Sequence, residues 1–252
     1  MSCIFGRVGN KYYIRNEVKN HIPREFKLYV EPFVGSGAIY LNLNLQNTNS
    51  VINDIDKDLI DTWKIVKQGI EIDENNYEFP IQDKEIQTDY YKSPSSSKEE
   101  KFIKYIISSL GSFASKTKGK IYKPISESNF KKKVIRAKQI KDYMKNTQVL
   151  NENYKTILDK YDDIDAFFYL DPPYENSRDL YKNHKINYIE LAKILENLKG
   201  KFLLSINDSL DIREIFKQFN IIPIQVKGRG GSVADVGKGI RNELFITNYK
   251  VI

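Results

Sequence analysis

The sequence predicts an α/β protein: a mostly parallel sheet with helices, closed by an antiparallel hairpin and interrupted by a mostly helical insertion. Three observations predict it. Short apolar strands alternate with helical patterns near both ends of the chain. Two strands follow one another directly at the C-terminal end, which calls for an antiparallel partner. A polar, lysine-rich stretch without that alternation separates the two halves.

The elements read as follows. Residues Lys27 to Phe33 form a short buried strand that runs into Gly35-Ser36-Gly37, and a helical pattern spans Ala38 to about Asn47. Ser50 to Asn53 is a second strand, ended by Asp54. A helix begins near Lys57, with Leu59, Ile60, Trp63 and Val66 at helical spacing; Trp63, the only tryptophan, reads as core. From about 70 to 150 the chain is polar. Pro80, Pro94 and the serines from Ser93 to Ser97 mark loops, followed by an amphipathic segment through Phe102, Ile106 and Leu110. The alternation resumes with a strand at Ala166 to Leu170. Then come a helix at Tyr188 to Leu198, a strand at Lys201 to Ile206 and a helix at Leu210 to Phe219. The last two strands, Ile221 to Val226 and Leu244 to Tyr249, flank a loop holding Gly228, Gly230, Gly231, Gly237 and Gly239. The chain therefore divides into one domain from residues 1–70 and 150–252, and an insertion from 71–149 that leaves the core and returns to it.

Composition narrows the function classes. With 40% hydrophobic and 29% charged residues in 252, the chain can bury a core and is not a disordered protein. The run Ala166 to Leu170 is far too short for a membrane span, and the N-terminal segment lacks the apolar stretch of a secretory signal. Cys3 is the only cysteine, so an internal disulfide and a cysteine metal cluster are both excluded, which suits a reducing interior. His21 and His184 stand isolated and read as surface or boundary residues. The expected setting is intracellular: a prokaryotic cytoplasm, or the compartment where a viral or phage genome resides. No membrane and no metal are expected.

Charge is unevenly placed. Residues 116–145 hold eleven Lys and Arg against Glu127 and Asp142, a local +9 in a chain whose total is +7, so the remainder is slightly acidic. Such a concentration fits a nucleic-acid footprint and equally a solvated helix face.

Two constellations carry chemistry. In Glu31-Pro32-Phe33-Val34-Gly35-Ser36-Gly37, glycines between a strand and a helix allow a tight turn and close approach of a ligand. Asp54 follows at the end of the next strand, where it can accept bonds from ribose hydroxyls or cap the helix behind it. Tyr40 stands where a dinucleotide-type third glycine would be, which argues against NAD and leaves room for another adenosine-bearing cofactor. The second constellation is Asp171-Pro172-Pro173-Tyr174 at the carboxyl end of an apolar strand. The prolines remove backbone donors and leave carbonyl acceptors beside a carboxylate and an aromatic ring. That set suits a planar group bearing an amino group; the structural alternative is a stiff turn with Asp171 as a cap.

At these residues the chain resembles the Dam-like N6-adenine DNA methyltransferases. The order of motifs is similar: Arg7-Val8-Gly9-Asn10-Lys11, the E-P-F-x-G-x-G turn, an inserted region, then D-P-P-Y. The likeness covers roughly residues 5–70 and 150–250, and it implies a Rossmann-like methyltransferase sheet with an inserted target-recognition lobe. It implies S-adenosylmethionine as cofactor, held by Arg7, Gly9, Lys11, Glu31, Phe33, Gly35, Ser36, Gly37, Asp54, Ile55, Asn153, Tyr154 and Asp171. Relatives often carry an aromatic residue and a second glycine at the positions of Arg7 and Asn10, and an Asp at that of Asn153. Phe202 to Asp208 and Glu243 to Tyr249 resemble the family's closing strands.

The resemblance also implies the reaction. Asp171 and the carbonyl of Pro172 would accept the two amino protons of an extruded adenine while Tyr174 stacks on it. Double-stranded DNA would meet Lys116, Lys118, Lys120, Lys131, Lys132, Lys133 and Arg136 through its phosphates. A restriction endonuclease counterpart and a monomer or weak dimer fit the same picture. Cytosine N4, adenine in RNA, and a catalytically inactive DNA-binding relative are the alternatives left by the residues.

Overall fold

The computed structural model describes residues 3–7, 9–80, 82–112, 120–173, 186–227 and 240–251. Their centre is a seven-stranded sheet. In chain order the strands are β1 (Leu28–Glu31), β2 (Asn49–Asn53), β3 (Thr147–Leu150), β4 (Ala166–Leu170), β5 (Lys201–Asn207), β6 (Asn220–Lys227) and β7 (Ile240–Thr247). Their order across the sheet is β3-β2-β1-β4-β5-β7-β6. The first five pair in parallel. Strand β7 lies antiparallel between β5 and β6, so the expected closing hairpin is present.

Alternate residues of the strands feed two cores. Tyr29, Ile52, Phe167, Tyr169, Leu203 and Phe245 face one side. Val30, Val51, Phe168, Leu170, Phe202 and Leu204 face the other. A strand covered on both sides needs a continuous apolar run, and Ala166 to Leu170 is buried at every position. One layer contains α2 (Lys57–Gln68), α4 (Lys98–Gly111) and α5 (Glu127–Tyr143), whose apolar faces meet around Trp63, Phe102, Ile106, Phe130 and Val134. The other contains α6 (Tyr154–Lys160), α7 (Tyr188–Glu196) and α8 (Leu210–Ile215). Two further helices, α1 (Arg15–His21) and α3 (Lys84–Lys92), complete the order with a 3-10 turn at Lys11–Ile14.

One sequence expectation changes. The helix expected from Ala38 to Asn47 is a single 3-10 turn, Tyr40–Asn42. The Tyr143 hydroxyl donates to the carbonyls of Tyr40 and Leu43, at 2.8 and 2.6 Å, and the Asn42 amide donates to the Ala38 carbonyl at 2.8 Å. Side chains thus bind carbonyls that a helix would use, a recurrent effect of Asn-rich segments. Within the segment 71–149, helices α4 and α5 share the main apolar cluster with α2, and Thr147–Leu150 is the edge strand beside β2. The sequence shows α5 as a basic stretch, but Phe130, Val134, Ala137, Ile140 and Tyr143 form a buried stripe at helical spacing.

Among the described residues, no helix is long and apolar enough to cross a membrane, and no group of three His, Cys, Asp or Glu could hold a metal. His21 is half-buried, with a ring nitrogen 2.7 Å from the Glu17 carbonyl, while His184 lies outside the described residues.

Candidate active site

The strand order reverses between β1 and β4, and a cavity of about 390 Å³ opens at their carboxyl ends. This is where open α/β sheets place ligands, and the volume falls in the range of small-molecule sites. The β1 side of the wall is built from Glu31, Phe33, Gly35 and Ser36, and the β2 side from Asp54 and Ile55. Asn153 and Tyr154, at the start of α6, close one flank; Asp171 and Pro172, after β4, close another; Arg7, Gly9 and Lys11 close a third. The structure thus brings together every described residue of the expected cofactor set except Gly37, which supports the turn from beneath. Tyr174 lies outside the described residues.

The glycine turn is held by its neighbours. Gly35 has φ +48° and its amide donates to Asp54 Oδ2 at 3.0 Å, while its carbonyl accepts the Trp63 indole N–H at 3.1 Å. A β-carbon at Gly35 would meet nothing within 4 Å, so the backbone here faces open pocket. Gly37 has φ +68°, and a β-carbon there would stand 2.7 Å from the Trp63 ring. Trp63 is therefore core, as its spacing predicts, and also the floor of the turn.

Asp54 does not cap α2. The cap is Asp56, whose side chain accepts from the Leu59 amide at 3.2 Å. Asp54 instead faces the cavity with its oxygens on the amides of Gly35 and Asp56, both at 3.0 Å. Burial raises its pKa, and the Arg7 guanidinium opposes that rise. Arg7 itself pairs with Asp56 at 2.5 Å.

Asn53 stands with Asp54 and Ile55 in the stretch that the family resemblance assigns to the cofactor, but sequence reasoning gave it no role of its own. Its amide donates to the carbonyls of Pro32 and Glu152, both at 3.0 Å, and its oxygen accepts from the Glu152 amide at 2.8 Å. One buried side chain thereby ties the ends of three strands together. The available signal was a polar amide closing an otherwise apolar strand. Asn153 caps α6 by accepting from the Lys155 amide at 3.0 Å, and the rings of Phe33 and Tyr154 form an aromatic flank with centroids 5.3 Å apart.

The deepest charges lie at the β4 end. Lys11 is 3% exposed; its ammonium is 2.5 Å from Glu243 Oε2 and 3.6 Å from Asp171 Oδ1. Tyr13 donates its hydroxyl to the other oxygen of Glu243. Burial would lower the Lys11 pKa, but Asp171 and Glu243 outweigh it and raise it. Asp171, 20% exposed, is pushed up to about 7 by burial, with Lys11 opposing and Glu243 adding. Glu31 is raised well above the carboxylate range by burial, and its bond from the Tyr29 hydroxyl at 2.6 Å only partly offsets this. Glu243 sits on β7 and was visible in the sequence only as part of a closing strand. Tyr188 also escaped notice: its hydroxyl donates to the Pro173 carbonyl at 2.7 Å and fixes the loop after β4.

The basic residues are less uniform than their sequence suggests. Lys116 and Lys118 lie outside the described residues, and Lys120 and Lys132 are exposed. Lys131 pairs with Glu127 at 2.8 Å, and Arg136 bonds Gln139 at 2.8 Å. Lys133 turns inward and donates to the Cys3 carbonyl at 2.8 Å, and burial lowers its pKa. Beyond these, Lys145 pairs with Asp142 at 3.3 Å within the same stretch, and Lys138 pairs with Glu74 at 2.6 Å, so an acid from outside it offsets part of the local charge.

Comparison with known proteins adds a family match and three relatives. Residues 8–228 match the family described as D12 class N6 adenine-specific DNA methyltransferase. The chain is 28% identical to the Type II methyltransferase M.MjaIII of Methanocaldococcus jannaschii, covering 96% of each protein. It is 24% identical to the Type II methyltransferase M1.LlaDCHI of Lactococcus lactis subsp. cremoris, over 96% of this chain and 93% of that one. A shorter stretch, 25% of the chain, is 35% identical to 21% of the DNA adenine methylase of Haemophilus influenzae.

Proposed function

The chain belongs to the D12 class of N6 adenine-specific DNA methyltransferases, and from that premise we propose that the cavity at the strand reversal holds S-adenosylmethionine beside an adenine extruded from double-stranded DNA. Family membership makes the reaction methylation of adenine in DNA and decides against cytosine and RNA. The observation that carries the rest is the meeting of the Glu31–Ser36 turn and the Asp171–Pro172 loop in one cavity at the strand reversal.

The residues fit the cofactor. Gly35 offers bare backbone, Asp54 and Glu31 offer oxygens to hydroxyl and amino groups, and Phe33 and Tyr154 offer rings to an adenine base. Ile55 adds an apolar edge, while Arg7, Gly9, Lys11, Ser36, Gly37 and Asn153 complete the holding set. When bound, S-adenosylmethionine supplies an electrophilic methyl group. The protein's own work is orientation. Adenine's amino nitrogen is a poor nucleophile because its lone pair is shared with the ring. Asp171 and the Pro172 carbonyl accept hydrogen bonds from its two N–H groups and leave the lone pair pointing toward the donor. Tyr174 stacks on the base; such stacking contributes ~1–3 kcal/mol.

Residues 71–149, together with Lys120, Lys131, Lys132 and Arg136 on their surface, serve target recognition, and Lys116 and Lys118 extend that footprint. Lys133 contributes by anchoring the N-terminal segment at Cys3. The full-length relatives named as Type II methyltransferases support a modification enzyme with a restriction endonuclease counterpart. The protein works on DNA inside the cell, or where a viral genome resides, as a monomer or weak dimer.

Calorimetry tests the cofactor assignment. The protein binds S-adenosylmethionine, and Asp54→Ala weakens that binding far more than it weakens DNA binding. Equal cofactor affinity in the two proteins rejects the placement.

A further inference from the structure

We propose that Glu243, on the closing strand β7, is a positioning residue for methyl transfer. It grips the Lys11 ammonium at 2.5 Å and thereby holds it 3.6 Å from Asp171, close enough to favour the carboxylate but outside hydrogen-bond length. This rests on the role assigned to Asp171 above and adds a group that does not touch the reacting atoms.

The geometry carries the inference. Lys11 and Glu243 are 3% and 4% exposed, and they are separated by 232 residues in the chain, so the fold buries a charge pair directly behind the catalytic loop. Burying two ions is costly unless each is matched. Both carboxylate oxygens of Glu243 are engaged, one by Lys11 and one by the Tyr13 hydroxyl. That double grip fixes the ammonium on the Glu243 side. An ammonium released from Glu243 would close on Asp171 and bond the oxygens that must receive adenine's amino protons. Lys11, Glu243, Glu31 and Tyr169 act electrostatically on Asp171, with Tyr13 behind Glu243. Glu243 also pairs with Asn207 of β5 and Ile224 of β6, which makes the hairpin part of the active-site frame.

The test is Glu243→Gln, which keeps the shape and removes the charge. Its kcat falls ~10- to 100-fold, as expected for a small misplacement of a reacting group, while KM for DNA and cofactor stays near wild type. The acid limb of its pH profile moves to lower pH, because Lys11 closes on Asp171 and the repulsion from Glu243 is gone. In a Lys11→Met background the same substitution has little further effect, since the two act as one unit. Tyr13→Phe, which leaves every charge in place, lowers kcat in the same direction by less. A folded Glu243→Gln with wild-type kcat and an unmoved acid limb overturns the proposal. So does a full-sized loss in the Lys11→Met background. Should Glu243→Gln fail to fold, wild-type kcat in Tyr13→Phe overturns it. Asp171→Ala, measured alongside, separates the two levels: if it is active, the reading of Asp171 fails; if it is inactive while Glu243→Gln is unaffected, only the role of Glu243 fails.

Discussion

The acids of the pocket and the lysines of α5 are opposite uses of charge in one molecule. Asp171, Glu31 and Asp54 line a cavity where burial raises every one of their pKa values. Lys131 and Lys145 stand at the surface, each beside an acid on its own helix or just past it. An exposed pair contributes ~0–1 kcal/mol and is screened by salt. A buried carboxylate is screened far less, so its protonation state is set mainly by the few groups around it. On the proposed reading, the difference teaches that a handful of enclosed charges governs the chemistry, while the longer basic run serves to hold DNA.

Substitutions break the comparison in a definite order. Asp171→Ala lowers turnover at least ~10²-fold, as loss of one oriented hydrogen-bonding group does, and leaves the melting temperature near wild type; a methylation assay with thermal unfolding checks both. Gly37→Ala forces an alanine into φ +68° with its β-carbon 2.7 Å from Trp63. It costs ~1–3 kcal/mol of stability, measurable by denaturant unfolding.

pH sharpens the contrast. The role proposed for Asp171 requires an ionised carboxylate that accepts an amino N–H bond, and burial pushes its pKa up to about 7. Protonation below that value removes the acceptor, so kcat/KM falls as pH drops through about 7 and levels off above it, and a pH–rate profile reads this directly. The smallest effect belongs to the surface. Lys132→Glu reduces the salt slope of DNA binding by ~1 with kcat unchanged, whereas Lys133→Glu disturbs the Cys3 anchor. Titration of DNA binding against salt distinguishes the two.

Most of the sheet was legible because buried strands are continuous apolar runs and the glycine and proline punctuation sits where the strands end. The same punctuation located the pocket from Glu31 to Ser36 and from Asp171 to Pro172. What stayed hidden depends on distant contacts. The pairing of Lys11 with Glu243 spans 232 positions, and nothing local marks Glu243. Asn53 reads as an ordinary strand end until its bonds to Pro32 and Glu152 are seen. The segment after Gly37 has carbonyls that bond the Tyr143 hydroxyl, a hundred residues away, a contact no local pattern shows. The basic run misled in another way: charge counting could not foresee that Glu74 would meet Lys138, or that Lys133 would turn inward.

Single-turnover methyl transfer by Asp171→Asn, at saturating DNA and S-adenosylmethionine, puts the carboxylate itself on trial. The side chain keeps its shape and loses its charge and half its accepting capacity. Transfer should collapse while affinity for both substrates persists. Transfer at the wild-type rate would mean that adenine's amino group is oriented by something other than this carboxylate.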